Sequence, residues 1–354
     1  MEVNTDIFPA LEQITRPAFT VESGKIIAAN TAAQSRQFLV GTDISHMLET
    51  VHEEFEAMSD GQLSFVLHCN DISYDTTVIR QGQDTLFVFN SEYEHPELKA
   101  LSLAALHLRE PLSNAMNSTD QLLPKEAIQA DPELHRQLLK INRNLHQLHR
   151  AVCNMADTAK YQRLGAVAME FRDVIQILSE ILEKASSLLS FSGKTLEYTL
   201  PKESVYTLVN EEMLERSLLN LISNATKQSN GFPVHVAVRR TDKNVCITVN
   251  NRCLDKKIAN LFNRYLRQPE IEDGKNGIGL GLTIVRGAAY AHKGTVLTQQ
   301  QNDMLQVTMS LRIQSSTDKV LRTPIQLPYD YAGCRDHTLI ELSDVLTENV
   351  YDQK

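Results

Sequence analysis

The chain has 354 residues, room for two or three domains. Its 35 Lys and Arg against 44 Asp and Glu leave a net charge of −9, which argues against a nucleic-acid surface built from clustered basic residues. With 22% charged and 42% hydrophobic residues it has the balance of an ordinary globular protein, and no apolar run approaches the ~18 residues of a membrane span. The opening MEVNTDIF has neither a basic region nor an apolar core, so no signal peptide and no membrane insertion are expected, and the protein is expected in the cytoplasm. Cys69, Cys153, Cys246, Cys253 and Cys334 form no CxxC pair, so reduced, mostly buried thiols are expected rather than a zinc or disulfide framework.

Residues 1–92 read as a small α+β unit. AFTV (18–21), a turn at Glu22-Ser23-Gly24 and KIIAAN (25–30) carry a hairpin signal. A helical stretch follows, and then three strand-like runs, LSFVLHC (63–69), YDTTVIR (74–80) and TLFVFN (85–90), separated by turn residues. With Pro17, Gly24, Ile26 and Asn30 at their spacing, this order resembles a PAS sensor domain. His68 and Cys69, on a strand, are expected to pack rather than to bind a haem or flavin.

Two helical segments come next, 96–123 and 132–163, inside an expected domain spanning 95–165. Leu98, Leu101, Ala105, Leu108, Leu112, Ala115, Thr119 and Leu122 recur at alternating spacings of three and four, as do Leu134, Leu138, Ile141, Leu145, Leu148, Val152 and Met155. Such seams pack two helices against each other and against a partner pair, so a homodimer closing a four-helix bundle is expected. Pro96 and Pro132 fit first-turn positions, with Asp131 as an N-cap. His146 and His149, three apart on the second helix, have no third metal ligand and are expected on a solvated face.

From 168 to 314 the pattern becomes that of an α/β sandwich. A helix is expected over FRDVIQILSEILEKASSLLS (171–190), strands over LEYTL (196–200) and VYTLV (205–209), and then a helix containing NLISNATK (220–227). VHVAVRR (234–240), VCITVN (245–250), TVLTQQ (295–300) and LQVTMSLRI (305–313) alternate like strands of a half-buried sheet, with helices on one face. The tail, 315–354, is expected to be a partly ordered extension, the alternative being an amphipathic helix that docks back or recruits a partner.

The chemistry is concentrated in two strings. In GKNGIGLGLTIV (274–285), Gly277, Gly279 and Gly281 lie where a loop enters a helix, so backbone N–H groups can approach phosphate oxygens at a helix N-terminus. In NLISNATK, Asn220, Asn224 and Lys227 fall on one helix face; neutral oxygens beside a lysine suit a magnesium-bridged triphosphate. At this pair of strings the chain resembles the sensor histidine kinases and their GHKL ATPase domain. NLISNATK looks like the asparagine box, GIGLGLTIV with His292-Lys293-Gly294 like the second glycine box, and KKIANLFNRYLR (256–267), with Phe262 and Tyr265, like the phenylalanine box. The resemblance implies a multidomain α+β chain: a PAS-like domain, a hairpin for dimerisation and histidine phosphotransfer, and a GHKL ATP-binding domain. It also implies ATP and Mg²⁺ as cofactors, with Asn220, Asn224 (a magnesium ligand), Lys227, Asn250, Gly277, Gly279, Leu280, Gly281 and Thr283 as the binding set. A response regulator and a second copy of the chain are the implied partners, with no nucleic acid.

Two departures qualify that implication. The string matching the family's histidine box is LHLREPL (106–112), which puts Leu106 at the phosphoacceptor and His107 at the acidic position beside it. One residue is about 100° around a helix, so His107 is either a shifted acceptor or a solvated surface histidine. Where the family has Asp-x-Gly-x-Gly, this chain has Asn250-Asn251-Arg252-Cys253-Leu254: an amide replaces the charged acceptor for the adenine amine, and the glycines are gone. Three readings follow. The chain is a histidine kinase with weakened autophosphorylation, a non-catalytic pseudokinase or scaffold, or a GHKL serine kinase or ATPase. The upstream hairpin argues against the last.

Overall fold

The computed structural model describes residues 11–69, 72–90, 96–121, 131–162, 167–253, 280–315 and 336–352. The N-terminal unit opens with β1 (Ala18–Glu22) and β2 (Lys25–Ala29), joined through Ser23 and Gly24, both at positive φ. Two left-handed residues in succession match the twist of a tight hairpin, which explains the glycine there. Helices α1 (Thr31–Gln34) and α2 (His52–Ala57) follow, and then β3 (Gly61–Cys69), β4 (Ile72–Gln81) and β5 (Asp84–Asn90). The strands pair antiparallel in the order β2-β1-β5-β4-β3. Phe19, Phe38, Phe87 and Phe89 fill the core, Phe38 and Phe89 stacking at 4.8 Å. Asn30 is buried for hydrogen bonding: its Oδ1 accepts from the N–H of Ala18 and Ala33, and its Nδ2 donates to the carbonyls of Ile14 and Arg16.

The helical hairpin is α3 (Pro96–Gln121) and α4 (Pro132–Gln162), each opening on its proline, with Asp131 accepting from the N–H of Glu133 and Leu134. Ala105, Leu112 and Met116 of α3 meet Val152 and Ala156 of α4. Leu108, Ile141 and Leu148, also on the expected seams, are exposed. Helix α4 has a second buried face, formed by Leu139, His146, His149, Arg150 and Cys153. The expectation that His146 and His149 are solvated is therefore wrong. His146 Nδ1 lies 2.8 Å from the Asn142 carbonyl oxygen and its ring packs on Tyr351, because α4 is covered on that side by the rest of the molecule.

The remainder is β6 (Glu170–Asp173), α5 (Val174–Phe191), β7 (Leu196–Thr199), β8 (Tyr206–Val209), α6 (Glu211–Gln228), β9 (Val234–Arg240), β10 (Asn244–Arg252), α7 (Leu280–Ala291), β11 (Val296–Gln301) and β12 (Met304–Arg312). The expected helix from 171 starts late. Phe171 to Asp173 pair with β8 as a strand, and the Asp173 carboxylate caps α5 through the Ile175 N–H while also accepting from Val205 N–H. The sheet β11-β12-β10-β9-β7 is antiparallel except for the parallel pair β7/β9. Its inward residues, among them Val236, Ile247, Val249 and Met309, pack with Leu178, Leu218, Ile222 and Ala288 of α5, α6 and α7 in one core.

Two features tie the ends of the described chain to the central sheet and core. First, β3 pairs with β11 (Leu63 opposite Leu297), so the N-terminal strands and the C-terminal sheet form one ten-stranded sheet. Gly61 is required at that junction, since a Cβ there would lie 2.3 Å from the Thr298 carbonyl oxygen. Second, residues 336–352 dock back on the molecule, the alternative expected for the tail. The short helix α8 (His337–Glu341) and a 3₁₀ turn (Glu348–Asp352) place Leu342, Val345, Leu346, Val350 and Tyr351 in the same core as α5 and α6. Burying each such leucine is worth about 1.5–3 kcal/mol relative to exposure, which is what holds the segment down. Cys153 and Cys253 are buried and Cys246 is half-buried. Among the described residues no helix is long and apolar enough to cross a membrane.

Candidate functional site

Helix α6 sets the site. Asn210 caps it, its Oδ1 accepting from Met213 N–H at 2.9 Å, and the cap is itself held from behind: Asn210 N–H donates to His292 Nε2 at 3.0 Å. His292 Nδ1 lies 2.6 Å from the Ala288 carbonyl oxygen, so the buried ring works as a neutral imidazole that ties the end of α7 to the start of α6. Burial pushes its pKa below the ordinary histidine value. Lys293 follows at φ 55, and Gly294 comes so close to β12 that a Cβ would meet the Ser310 carbonyl oxygen at 1.7 Å. The glycine of that string serves backbone approach, and the lysine sits where a left-handed backbone would suit glycine.

Helix α7 crosses α6 at the two asparagines. A Cβ on Gly281 would lie 2.9 Å from Asn220 Oδ1 and 3.5 Å from Asn224 Nδ2, so the two strings singled out in the sequence meet at this point. Leu280 begins α7 and Thr283 lies half-buried one turn in. Asn224 is half-buried and Lys227 is exposed in the last turn of α6. Asn250 lies in β10, opposite Gln306 of β12 and His235 of β9, and the strand continues through Asn251 to Arg252. Gly277, Gly279, Phe262 and Tyr265 lie outside the described residues. His107 is exposed on α3, as is Leu106 beside it, both outside the hairpin interior.

Asn220 has a different setting from the one expected. It is fully buried, with Nδ2 donating to the Arg216 carbonyl (2.9 Å) and to Glu341 Oε2 (3.1 Å), while Oδ1 accepts from Arg150 Nη2 (2.9 Å). Both of its donors are engaged by protein groups. Around it runs a charged network. Glu341, fully buried, takes Arg216 Nε at 3.1 Å and Arg150 Nε at 3.2 Å; Arg150 also donates to Ser223 Oγ at 3.0 Å and to Asp344 Oδ2 at 2.5 Å. Asp344 pairs in addition with Lys227. Sequence reasoning missed Arg150, Arg216, Glu341 and Asp344. A signal was present: LIELSDVL carries one glutamate inside an apolar run, and a glutamate that such a run buries must be paired.

The described residues fit a polyphosphate at one end. Asp344 already presents an anionic oxygen to Lys227 and Arg150, and the Gly281 approach leaves no side chain between α7 and Asn224. When bound, Mg-ATP would supply the transferable phosphoryl group there, with Asn224 and Lys227 holding its phosphate end.

Residues 209–316 match the family described as the histidine kinase-, DNA gyrase B- and HSP90-like ATPases. The probable sensor protein PcoS of Escherichia coli is 30% identical over 232 residues, covering 62% of this chain and 48% of that protein. The sensor protein kinase WalK of Staphylococcus saprophyticus is 23% identical over 312 residues, covering 78% and 50%. The chain thus spans about half the length of each. Among solved structures, the Acinetobacter baumannii histidine kinase AdeS aligns with 60% of this chain and 96% of that one, at 17% identity and a TM-score of 0.37. The segment built around α6 and α7 is therefore a GHKL-type, histidine-kinase-like ATPase domain, and the chain is related to the sensor histidine kinases through it.

Proposed function

We propose that this protein is a cytoplasmic, dimeric signal transducer of the two-component type, which binds Mg-ATP weakly at the α6/α7 crossing and signals to a response regulator. Residues 1–92 act as a PAS-like sensor, 95–165 as the dimerisation hairpin and 168–314 as the ATP-binding domain. The observation that carries the reading is the close approach of Gly281 to Asn220 and Asn224, with Lys227 one turn on. The strand order β2-β1-β5-β4-β3 supports the PAS-like assignment, and the exposed Leu108, Ile141 and Leu148 support a partner hairpin.

Autophosphorylation is weakened or lost. Leu106 has no lone pair to attack a phosphoryl group, and His107 beside it cannot serve as a carboxylate base, a role worth about 10²–10⁴ in rate. The engagement of both Asn220 donors favours the second reading, a pseudokinase that keeps fold and dimer. Calorimetry and γ-labelled ATP test the proposal together. Wild type should bind Mg-ATP weakly with little preference over GTP, Asn224→Ala should bind neither, and acid-labile phosphate on the protein should be scarce. Tight, adenine-selective binding would refute the weak-site reading. Stoichiometric phosphate on His107, removed by His107→Gln, would instead make this an active kinase with its acceptor moved by one residue.

A further inference from the structure

The C-terminal segment is attached to the molecule in two unlike ways. Glu341 sits between two guanidinium groups with no solvent contact, and the apolar residues after it belong to the main core. Further contacts tie the segment down. Asp336 pairs with Lys184, His337 with Glu215 and Asp352 with His135, and the Gln147 side chain donates to the Ser343 carbonyl. These contacts reach α4, α5 and α6 at once, so the segment clamps the hairpin to the ATPase domain.

Asp344 is different. Its carboxylate is 30% exposed and its partner Lys227 is 38% exposed, at the open end of α6. It takes a full turn of chain, from Glu341 to Asp344, to bring the second carboxylate from the buried guanidinium pair to the cations at the rim. Lys227 and Arg150 are a cation pair holding an oxyanion, and the oxyanion is the chain's own.

We infer that Asp344 is an internal competitor for the phosphate end of the nucleotide site, held in place by the buried Glu341 anchor, so that Mg-nucleotide binds only by displacing it from Lys227 and Arg150. This inference rests on the reading of the site as a nucleotide site. A triphosphate brings several negative charges where Asp344 brings one, so it can win the lysine. It cannot dislodge Glu341, whose guanidinium partners would then be left buried and unpaired. The segment therefore tunes nucleotide affinity without leaving the protein, and Arg150, on the hairpin, becomes a phosphate contact once Asp344 has moved.

The test is calorimetry of the full-length chain with Mg-ATP and, separately, with magnesium tripolyphosphate, which has no adenine. Asp344→Asn keeps the shape and removes the charge. Removing an internal competitor raises the competent fraction of sites, so both ligands should bind the variant about tenfold more tightly than wild type. Asp344→Ala should do the same, and Lys227→Met should abolish the gain. Equal affinities in wild type and both variants would overturn the competition while leaving nucleotide binding standing. Weaker binding by Asp344→Asn would overturn it too, marking Asp344 as a ligand of the magnesium complex. No binding by any variant up to millimolar ligand would sink the nucleotide reading, and the competition with it. Amide exchange protection of residues 340–350 without nucleotide reports the docked segment separately in each case.

Discussion

At the scale of single residues, the α6/α7 crossing is organised by groups set behind it. His292 is the clearest. Its Nε2 accepts the N–H of Asn210, so protonating it would put a donor against a donor in a buried place. Burial lowers its pKa from 6.5, and the hydrogen bond to the Ala288 carbonyl offsets only part of that shift. Below pH 6.5 the unfolded chain takes up a proton that the native ring refuses, so stability is full above that value and falls as pH drops toward the native pKa. The slope is at most ~1.4 kcal/mol per pH unit for one group. Urea unfolding at pH 7.5 and 5.5 should show a larger loss for wild type than for His292→Gln. Equal losses would mean that the ring is not held neutral by the fold. The spacing of His292 and Gly294 was legible in the sequence; what the histidine bonds to was not, because Asn210 is 82 positions away.

At the scale of elements, two kinds of ion pair stand side by side and should differ in worth. The Glu341 pairs are fully buried, so breaking them strands charge in a low dielectric; Glu341→Gln should cost about 3–5 kcal/mol. The Asp344–Lys227 pair is partly solvated, and Asp344→Asn should cost no more than about 1 kcal/mol. Denaturant midpoints for the two variants check the ranking, and a reversal would mean that Glu341 is not the anchor. Replacing Arg216 and Glu341 together by Met and Leu should restore much of the loss, since apolar groups of similar volume remove both charges at once. Most strand runs and the two long helices α3 and α4 were readable because each rests on a local period. The start of α5 was misread because β8, over thirty residues on, pairs with Phe171 and its neighbours.

At the scale of the whole molecule, α4 is a shared wall. One face meets α3, a second meets the ATPase domain and the C-terminal segment, and Leu148 and Ile141 remain exposed with Leu108 of α3. Such apolar residues on one hairpin are what a second hairpin would cover. Leu108→Glu with Leu148→Glu should turn a dimer into a folded monomer in sedimentation velocity, because neither residue belongs to the hairpin's own core. A wild-type monomer at micromolar concentration would count against the proposed dimer. The sheet junction at β3 and β11 adds a second link. Tyr290 of α7 donates to Asp75 of β4 at 2.7 Å, so the N-terminal unit touches the helix that carries Gly281.

The sequence by itself determined most of the strands and helices and the two strings that meet at the α6/α7 crossing, because both depend on local rules: the strand and helix periods, the proline and aspartate at helix starts, and glycine where backbones approach. It also fixes leucine at position 106 and asparagine at position 250, which are matters of identity at a position. Only the tertiary structure decided that Asn220 is buried with both donors engaged, that His146 and His149 lie inside, and that Glu341 and Asp344 reach the site from the end of the chain. A pairing such as Arg150 with Glu341 spans 191 positions, and no local pattern encodes which of the many acids a buried arginine will find. That choice is made when the apolar residues around Glu341 enter the core and carry it to the guanidinium groups.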